Sequence, residues 1–174
     1  MARASTGAVD GQGGQPGSGA RPAVKKKGKR RIKREKATVG WREWVAFPEL
    51  GIDRINAKID SGAKTSALHA FRPQEVRIDG VDYVEFYVHP KQRHREPEIF
   101  CRAELVDKRL VTSSNGMQQN RYVVATQLAV GGRSYRIELT LTDRDEMSFR
   151  VLIGREALKR RFVIDPGKSY LMGH

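Results

Sequence analysis

A single cysteine, Cys101, stands among the 174 residues, so the chain cannot form an internal disulfide and makes no demand for an oxidising compartment. Long hydrophobic runs are lacking too: nothing approaches the roughly 18 consecutive apolar residues of a membrane-spanning helix, and no membrane contact is expected. The N-terminal stretch holds no apolar segment followed by a cleavage pattern, which argues against secretion and, together with the lone thiol, favours the cytoplasm. Acidic residues are scarce at the same end. Residues 1–38 contain eleven lysines and arginines against Asp10 and Glu35, net +9 of the chain's +13, so the remainder is only mildly basic.

That imbalance divides the chain. Residues 1–37 join a Gly/Ser/Gln/Pro stretch to "KKKGKRRIKREK", residues 25–36, and offer too little apolar surface to offset the entropy of ordering them. A disordered basic tail is expected there, either an arm that holds RNA or a ribosome through phosphate contacts or a solubilising tail without a specific site. From residue 38 onward aromatics and aliphatics appear between short turn signals, and the length suits one domain over 38–174.

The domain reads as β-rich. "RINAKID" alternates Ile55, Ala57 and Ile59 with polar neighbours, and "EVRIDGVDYVEFYVH" places two alternating runs around Asp79-Gly80, a hairpin signal. Further runs break at Asn115-Gly116 and Gly131-Gly132. Short strands and tight turns predict a mainly all-β fold, a small barrel or sandwich. "REALKRRF", following "VLIG", is the clearest helix candidate, and "HPKQRHREPEI" reads as an exposed loop. Trp41 and Trp44 have two readings, stacking on nucleic-acid bases or covering the edge of the core, of which packing is the commoner role for large aromatics beside a strand.

One segment suggests chemistry. In "KIDSGAKTSAL" an aspartate ends a strand pattern and Ser61-Gly62 follows; Gly62 lets the backbone turn its amides toward the Asp60 carboxylate. Taken alone, Asp-Ser-Gly is an ordinary Asx turn. About ninety residues later comes "FRVLIGREAL", an apolar strand, a glycine and a helix carrying Arg155, with a glycine-containing hairpin in between. Together these segments resemble the retropepsin-like aspartic proteases over roughly residues 39–173. "GWREWVAFPELGI", "VTSSNG" and "LTLTDRDEM" extend the similarity to a small bacterial RimB-like group, often labelled ATP-dependent zinc proteases, associated with RimK-type ligases that add glutamates to a ribosomal protein.

The resemblance implies a retropepsin-like acid-protease barrel with one short C-terminal helix. Asp60 would be the catalytic carboxylate; Ser61, Gly62, Ala63 and Thr65 would form its loop; Leu152, Ile153, Gly154 and Arg155 would support that loop. Ser113, Ser114, Asn115 and Gly116 would cap a flap running from Val111 to Arg121. Where retroviral members carry an acidic residue after the loop, Lys64 and Thr65 stand here, which leaves the partner of Arg155 open between Asp143 and Asp145. Hydrolysis by aspartates needs two carboxyls sharing a proton, and the chain carries one such motif, so a homodimer acting on a polypeptide substrate is expected. "VIDPGKS" around Asp165 is a poor second motif.

No cofactor is expected: the chain has neither a G-x-x-x-x-G-K-[ST] loop for ATP nor an H-E-x-x-H helix for zinc, and His69, His89, His94 and Cys101 lack a compact ligand spacing. Cys101 reads as a core residue and Ser113-Ser114 as a turn rather than a nucleophile. The competing functional reading is a non-enzymatic β module that binds RNA or ribosomes through its basic arm.

Overall fold

Alternating inward and outward side chains, rather than continuous apolar runs, build the domain. The structure, a computed structural model, describes residues 35–92, 94–112, 116, 118–143 and 148–173. The strands are β1 Ala37–Gly40, β2 Arg42–Phe47, β3 Ile52–Asp60, β4 Ser66–His69, β5 Phe71–Ile78 and β6 Val81–Val88, followed by β7 Ile99–Thr112, β8 Gln118–Val130, β9 Arg133–Thr142, β10 Val151–Gly154 and β11 Phe162–Asp165. Among the described residues the single α-helix, α1, is Arg155–Leu158.

Nine strands form one sheet in the order β2-β3-β10-β4-β9-β8-β7-β6-β5, and an additional β2–β8 pairing closes the first six into a barrel. β7, β6 and β5 continue outward from it, while β1 and β11 pair separately and in parallel. Closure leaves the barrel strands without a free edge and gives their alternating residues a common interior. That interior holds Ile55, Ala57 and Ile59 of β3, Leu68 of β4, Val124 and Leu128 of β8, Leu139 of β9, and Val151 and Ile153 of β10, each at most 7% exposed. Burying a side chain of the Val, Leu or Ile kind contributes about 1.5–3 kcal/mol, so this layer is the main source of stability.

The expected turns close where the sequence places them. Ile78 pairs with Val81 around Asp79 and Gly80, both with positive φ, and Val130 pairs with Arg133 around Gly131 and Gly132, also positive. Such paired left-handed residues give a two-residue turn whose twist matches that of its strands. Ala37, counted with the tail on composition, is the first residue of β1 and pairs with Phe162. The helix is shorter than "REALKRRF" suggests: Arg161 already donates its N–H to the carbonyl of Leu158, and β11 begins at Phe162.

The chain's end is tied down by Glu43, whose side chain is fully buried on β2. Its Oε1 accepts from the N–H groups of Gly40 (2.7 Å) and Leu171 (2.9 Å), and its Oε2 from that of Met172 (3.2 Å). Accepting from three backbone donors, this one side chain joins β1, β2 and residues 171–172. Among the described residues no helix is long and apolar enough to cross a membrane.

Candidate active site

β3 delivers Asp60 to the end of the barrel. Its inward residues Ile55, Ala57 and Ile59 fix the strand's register, so Lys58 and Asp60 fall on the opposite face by two-residue alternation. Lys58 Nζ lies 3.6 Å from Asp60 Oδ2, and both groups keep contact with water, with 46% and 26% of their side-chain surface exposed. A pair this exposed contributes at most about 1 kcal/mol. The other carboxylate oxygen is held by the loop that follows: Oδ1 accepts from the N–H of Gly62 at 3.0 Å and of Ala63 at 3.2 Å. These two donors orient the carboxylate with Oδ1 turned into its own loop and Oδ2 left outward.

The second segment lies directly beside the first. β10 runs parallel to β3, with Leu152 opposite Lys58, Ile153 opposite Ile59 and Gly154 opposite Asp60. Beyond that register the loop and the helix start are stitched together: Arg155 N–H donates to the Ala63 carbonyl at 2.8 Å and Glu156 N–H to that of Lys64 at 3.1 Å. Arg155 Nη1 donates to the carbonyl of Ser61 at 3.1 Å. The arginine thus holds the loop's backbone directly; Asp143 is exposed, and Asp145 lies outside the described residues.

Gly154 permits this closeness. A Cβ built on it would sit 2.4 Å from the carbonyl oxygen of Thr65 and 2.5 Å from its carbonyl carbon. Its N–H donates to Ser66 Oγ at 3.1 Å in a buried position. The structure therefore brings Asp60, Ser61, Gly62, Ala63, Thr65, Gly154 and Arg155 together, with Ile153 buried beneath them and Leu152 half-buried on the face of Lys58. Ser61 is exposed.

β7 and β8 form a long hairpin over the segment read as a flap. Arg109 pairs with Arg121 and Thr112 with Gln118 at its end. Gly116 has a φ of +80°, as its turn requires; Ser113, Ser114 and Asn115 lie outside the described residues.

Two residues of this site had gone unremarked in the sequence. Lys58 is legible from strand alternation, two positions before Asp60. Ser66 is not, because only the arrival of β10 reveals what its hydroxyl accepts.

The other candidate residues lie away from the Asp60 loop. Asp165 Oδ1 accepts from Gly167 N–H in a turn. His69 Nδ1 lies 3.2 Å from the Thr142 carbonyl, and His89 Nε2 is 3.0 Å from Glu98 Oε2. Cys101 is buried, its thiol directed at the Leu50 carbonyl at 3.4 Å, and burial pushes its pKa up to about 12. Among the described residues no three His, Cys, Asp or Glu side chains gather as metal ligands. The tryptophans pack against their own chain: Trp41 meets Phe149 edge-on at 5.7 Å, Trp44 stacks on Tyr170 at 5.5 Å, and Arg54 lies over Trp44 at 4.1 Å.

An aspartate-bearing loop at the end of one barrel strand, cradled by a parallel strand, a glycine and the start of a helix, defines a retropepsin-like fold. The family model described as "RimB-like: Retropepsin-like aspartic endopeptidase RimB" matches residues 38–174, and the chain belongs to that family. Curated relatives carry another name. A "Probable alpha-L-glutamate ligase" of Shewanella pealeana is 42% identical over 138 residues, and one of Desulfotalea psychrophila is 44% identical over the same length. Each match covers 79% of this chain and 30% of the relative, so the chain spans about a third of the length of these relatives. Among solved structures, that of Lpg0085, a protein of unknown function from Legionella pneumophila, shares the fold with a TM-score of 0.67 at 24% identity, covering 79% of this chain and 99% of that one.

Proposed function

We propose that the domain is an aspartic endopeptidase that hydrolyses peptide bonds through two Asp60 carboxyls, one from each copy of a homodimer. The carrying observation is the Asp60 loop: a carboxylate oriented by two backbone donors, braced by Gly154 and Arg155, and offering its second oxygen outward. Two such groups facing each other across a two-fold axis share one proton, because like charges at that distance do not both ionise. The ionised member takes a proton from water as it adds to the peptide carbonyl, and the protonated member supplies one to the carbonyl oxygen. The pair then titrates as a unit. Ser61, exposed beside Asp60, is suited to bond the facing loop, and the β7–β8 hairpin to cover an extended substrate.

The relatives named probable alpha-L-glutamate ligase support a setting beside a glutamate-adding enzyme of the RimK type, with a ribosomal protein or its glutamylated tail as substrate. The basic segment 25–36 would draw the domain toward a ribosome, RNA or an acidic tail by electrostatic steering. The domain would act in the cytoplasm. The test is mass spectrometry of a diverse peptide mixture incubated with wild type and Asp60→Asn, with and without chelator, from acidic to neutral pH. Cleavage is expected from wild type, unaffected by chelator and absent in Asp60→Asn; cleavage that survives the substitution refutes the assignment.

A further inference from the structure

Along β10 from Gly154, away from the Asp60 loop, the strand begins beside a cavity. Arg150 precedes β10 and continues its ladder, its carbonyl accepting from His69 N–H at 2.8 Å. Alternation puts Arg150 on the face of Leu152, which is opposite Lys58 and therefore on the face that carries Asp60. Four residues separate Arg150 from Gly154, about 13 Å of strand and about four residues of an extended polypeptide laid alongside.

The cavity has a volume of about 540 Å³ and is lined by Phe71, His89, Arg95, Glu96, Glu98 and Arg150. Glu98 is already engaged: Oε1 accepts from Arg72 Nη2 at 2.7 Å and Oε2 lies 3.0 Å from His89 Nε2, which keeps its carboxyl ionised below the usual range. Glu96 is exposed at the rim. Among the described residues Arg150 has no such partner. Its guanidinium lies over the Phe71 ring at 5.7 Å, and its Nη1 is out of water without a hydrogen bond. A buried charged donor left unpaired is costly, and native structures seldom retain one without use.

A second unpaired atom lies in the same wall. The His89 side chain is 9% exposed, and among the described residues its Nδ1 has no hydrogen-bond partner. With Nε2 at Glu98 Oε2, Nδ1 is the polar atom of His89 left for another partner. The cavity thus combines a cationic donor with an unpaired imidazole nitrogen. A free anion complements the first alone, whereas an acidic residue within a polypeptide brings a carboxylate together with backbone groups that meet the second.

We propose that this cavity is a specificity subsite in which Arg150 holds the carboxylate of a substrate side chain about four residues from the scissile bond, with His89 Nδ1 bonding the substrate backbone. The proposal rests on the peptidase reading for its position along the substrate, while the binding it describes can be measured without cleavage.

The experiment therefore has two arms. In the first, full-length Asp60→Asn is offered degenerate decapeptide libraries differing only in a fixed Glu or Gln at one position, and retained peptide is measured. About tenfold preference for Glu is expected, as for a charge-assisted bond, and its loss in Asp60→Asn combined with Arg150→Gln. Arg150→Met and His89→Gln are made alongside, with thermal melts to confirm folding; the Glu/Gln comparison itself needs no change at Arg150. In the second arm, products cut by wild type from degenerate peptides are sequenced for acidic enrichment at a fixed distance from the cut. Cleavage with no acidic preference overturns the subsite and leaves the peptidase standing. Glu-selective, Arg150-dependent retention without cleavage supports the subsite and removes the peptidase reading. Retention indifferent to Glu or Gln, or Arg150-dependent binding of inorganic phosphate alone, overturns the proposal.

Discussion

Replacing Gly154 by alanine perturbs the site with a single methyl group. The added Cβ would stand 2.4 Å from Thr65 O, 2.5 Å from Thr65 C and 3.0 Å from Ser66 N, all backbone atoms. Ordinary contact begins near 3.4 Å, so the loop must recede by about 1 Å. No side chain can rotate away to absorb this. β10 is equally constrained, being paired with β3 on one side and β4 on the other. Retreat of the loop also strains the bonds from Arg155 N–H to Ala63 and from Gly154 N–H to Ser66 Oγ. Overpacking of this kind costs about 1–3 kcal/mol. For a domain of this size that lowers the melting temperature by roughly 4–12 °C. Under the proposed function, a displacement of about 1 Å at Asp60 also reduces cleavage by about a hundredfold. The assay pairs thermal or urea unfolding with peptide cleavage, using Gly167→Ala as control, since its Cβ meets only Asp165 Oδ1 at 3.4 Å. Unchanged stability and activity in Gly154→Ala would refute the claim that close approach of backbone shapes this loop.

Glu43→Ala removes the acceptor of three backbone donors and is expected to destabilise the domain by about 3 kcal/mol or more, because unsatisfied donors cost about 1–3 kcal/mol each. Glu43→Gln keeps one acceptor oxygen and should lie between alanine and wild type in urea titrations; equal stability of all three contradicts the role given to this carboxylate. Cys101 should resist thiol reagents at pH 8 in the folded domain and react upon unfolding. Burial raises its pKa from 9.0 to about 12, which lowers its thiolate fraction by about a thousandfold. Because the folded-state pKa is the higher one, the corresponding stability is full below pH 9 and declines as pH rises toward 12. Rapid labelling of the native domain at pH 8 would show the thiol to be accessible.

The sequence by itself determined the strands and their tight turns. Period-two alternation and residues that tolerate positive φ are local properties, so "RINAKID", Asp79-Gly80 and Gly131-Gly132 are legible without a partner strand. It also carried the Asp60 loop and its distant counterpart, because glycine and hydroxyl residues recur there in a recognisable order. Helix length was less legible: "REALKRRF" is helix-compatible throughout, yet a turn follows Leu158 and pairing of Phe162 with Ala37 takes its last residue into β11. Only the tertiary structure decided which groups serve one another. Arg155 lies ninety-four positions from Ser61, and the carbonyl it holds belongs to a backbone that no sequence pattern distinguishes. Ser66, Glu43 and Arg150 look like ordinary strand residues until β10 and the C-terminal segment pack against β3, β4 and β2. Hydrogen bonding and burial are relations between segments brought together by barrel closure, and these relations, rather than the residue types, set what each side chain can do.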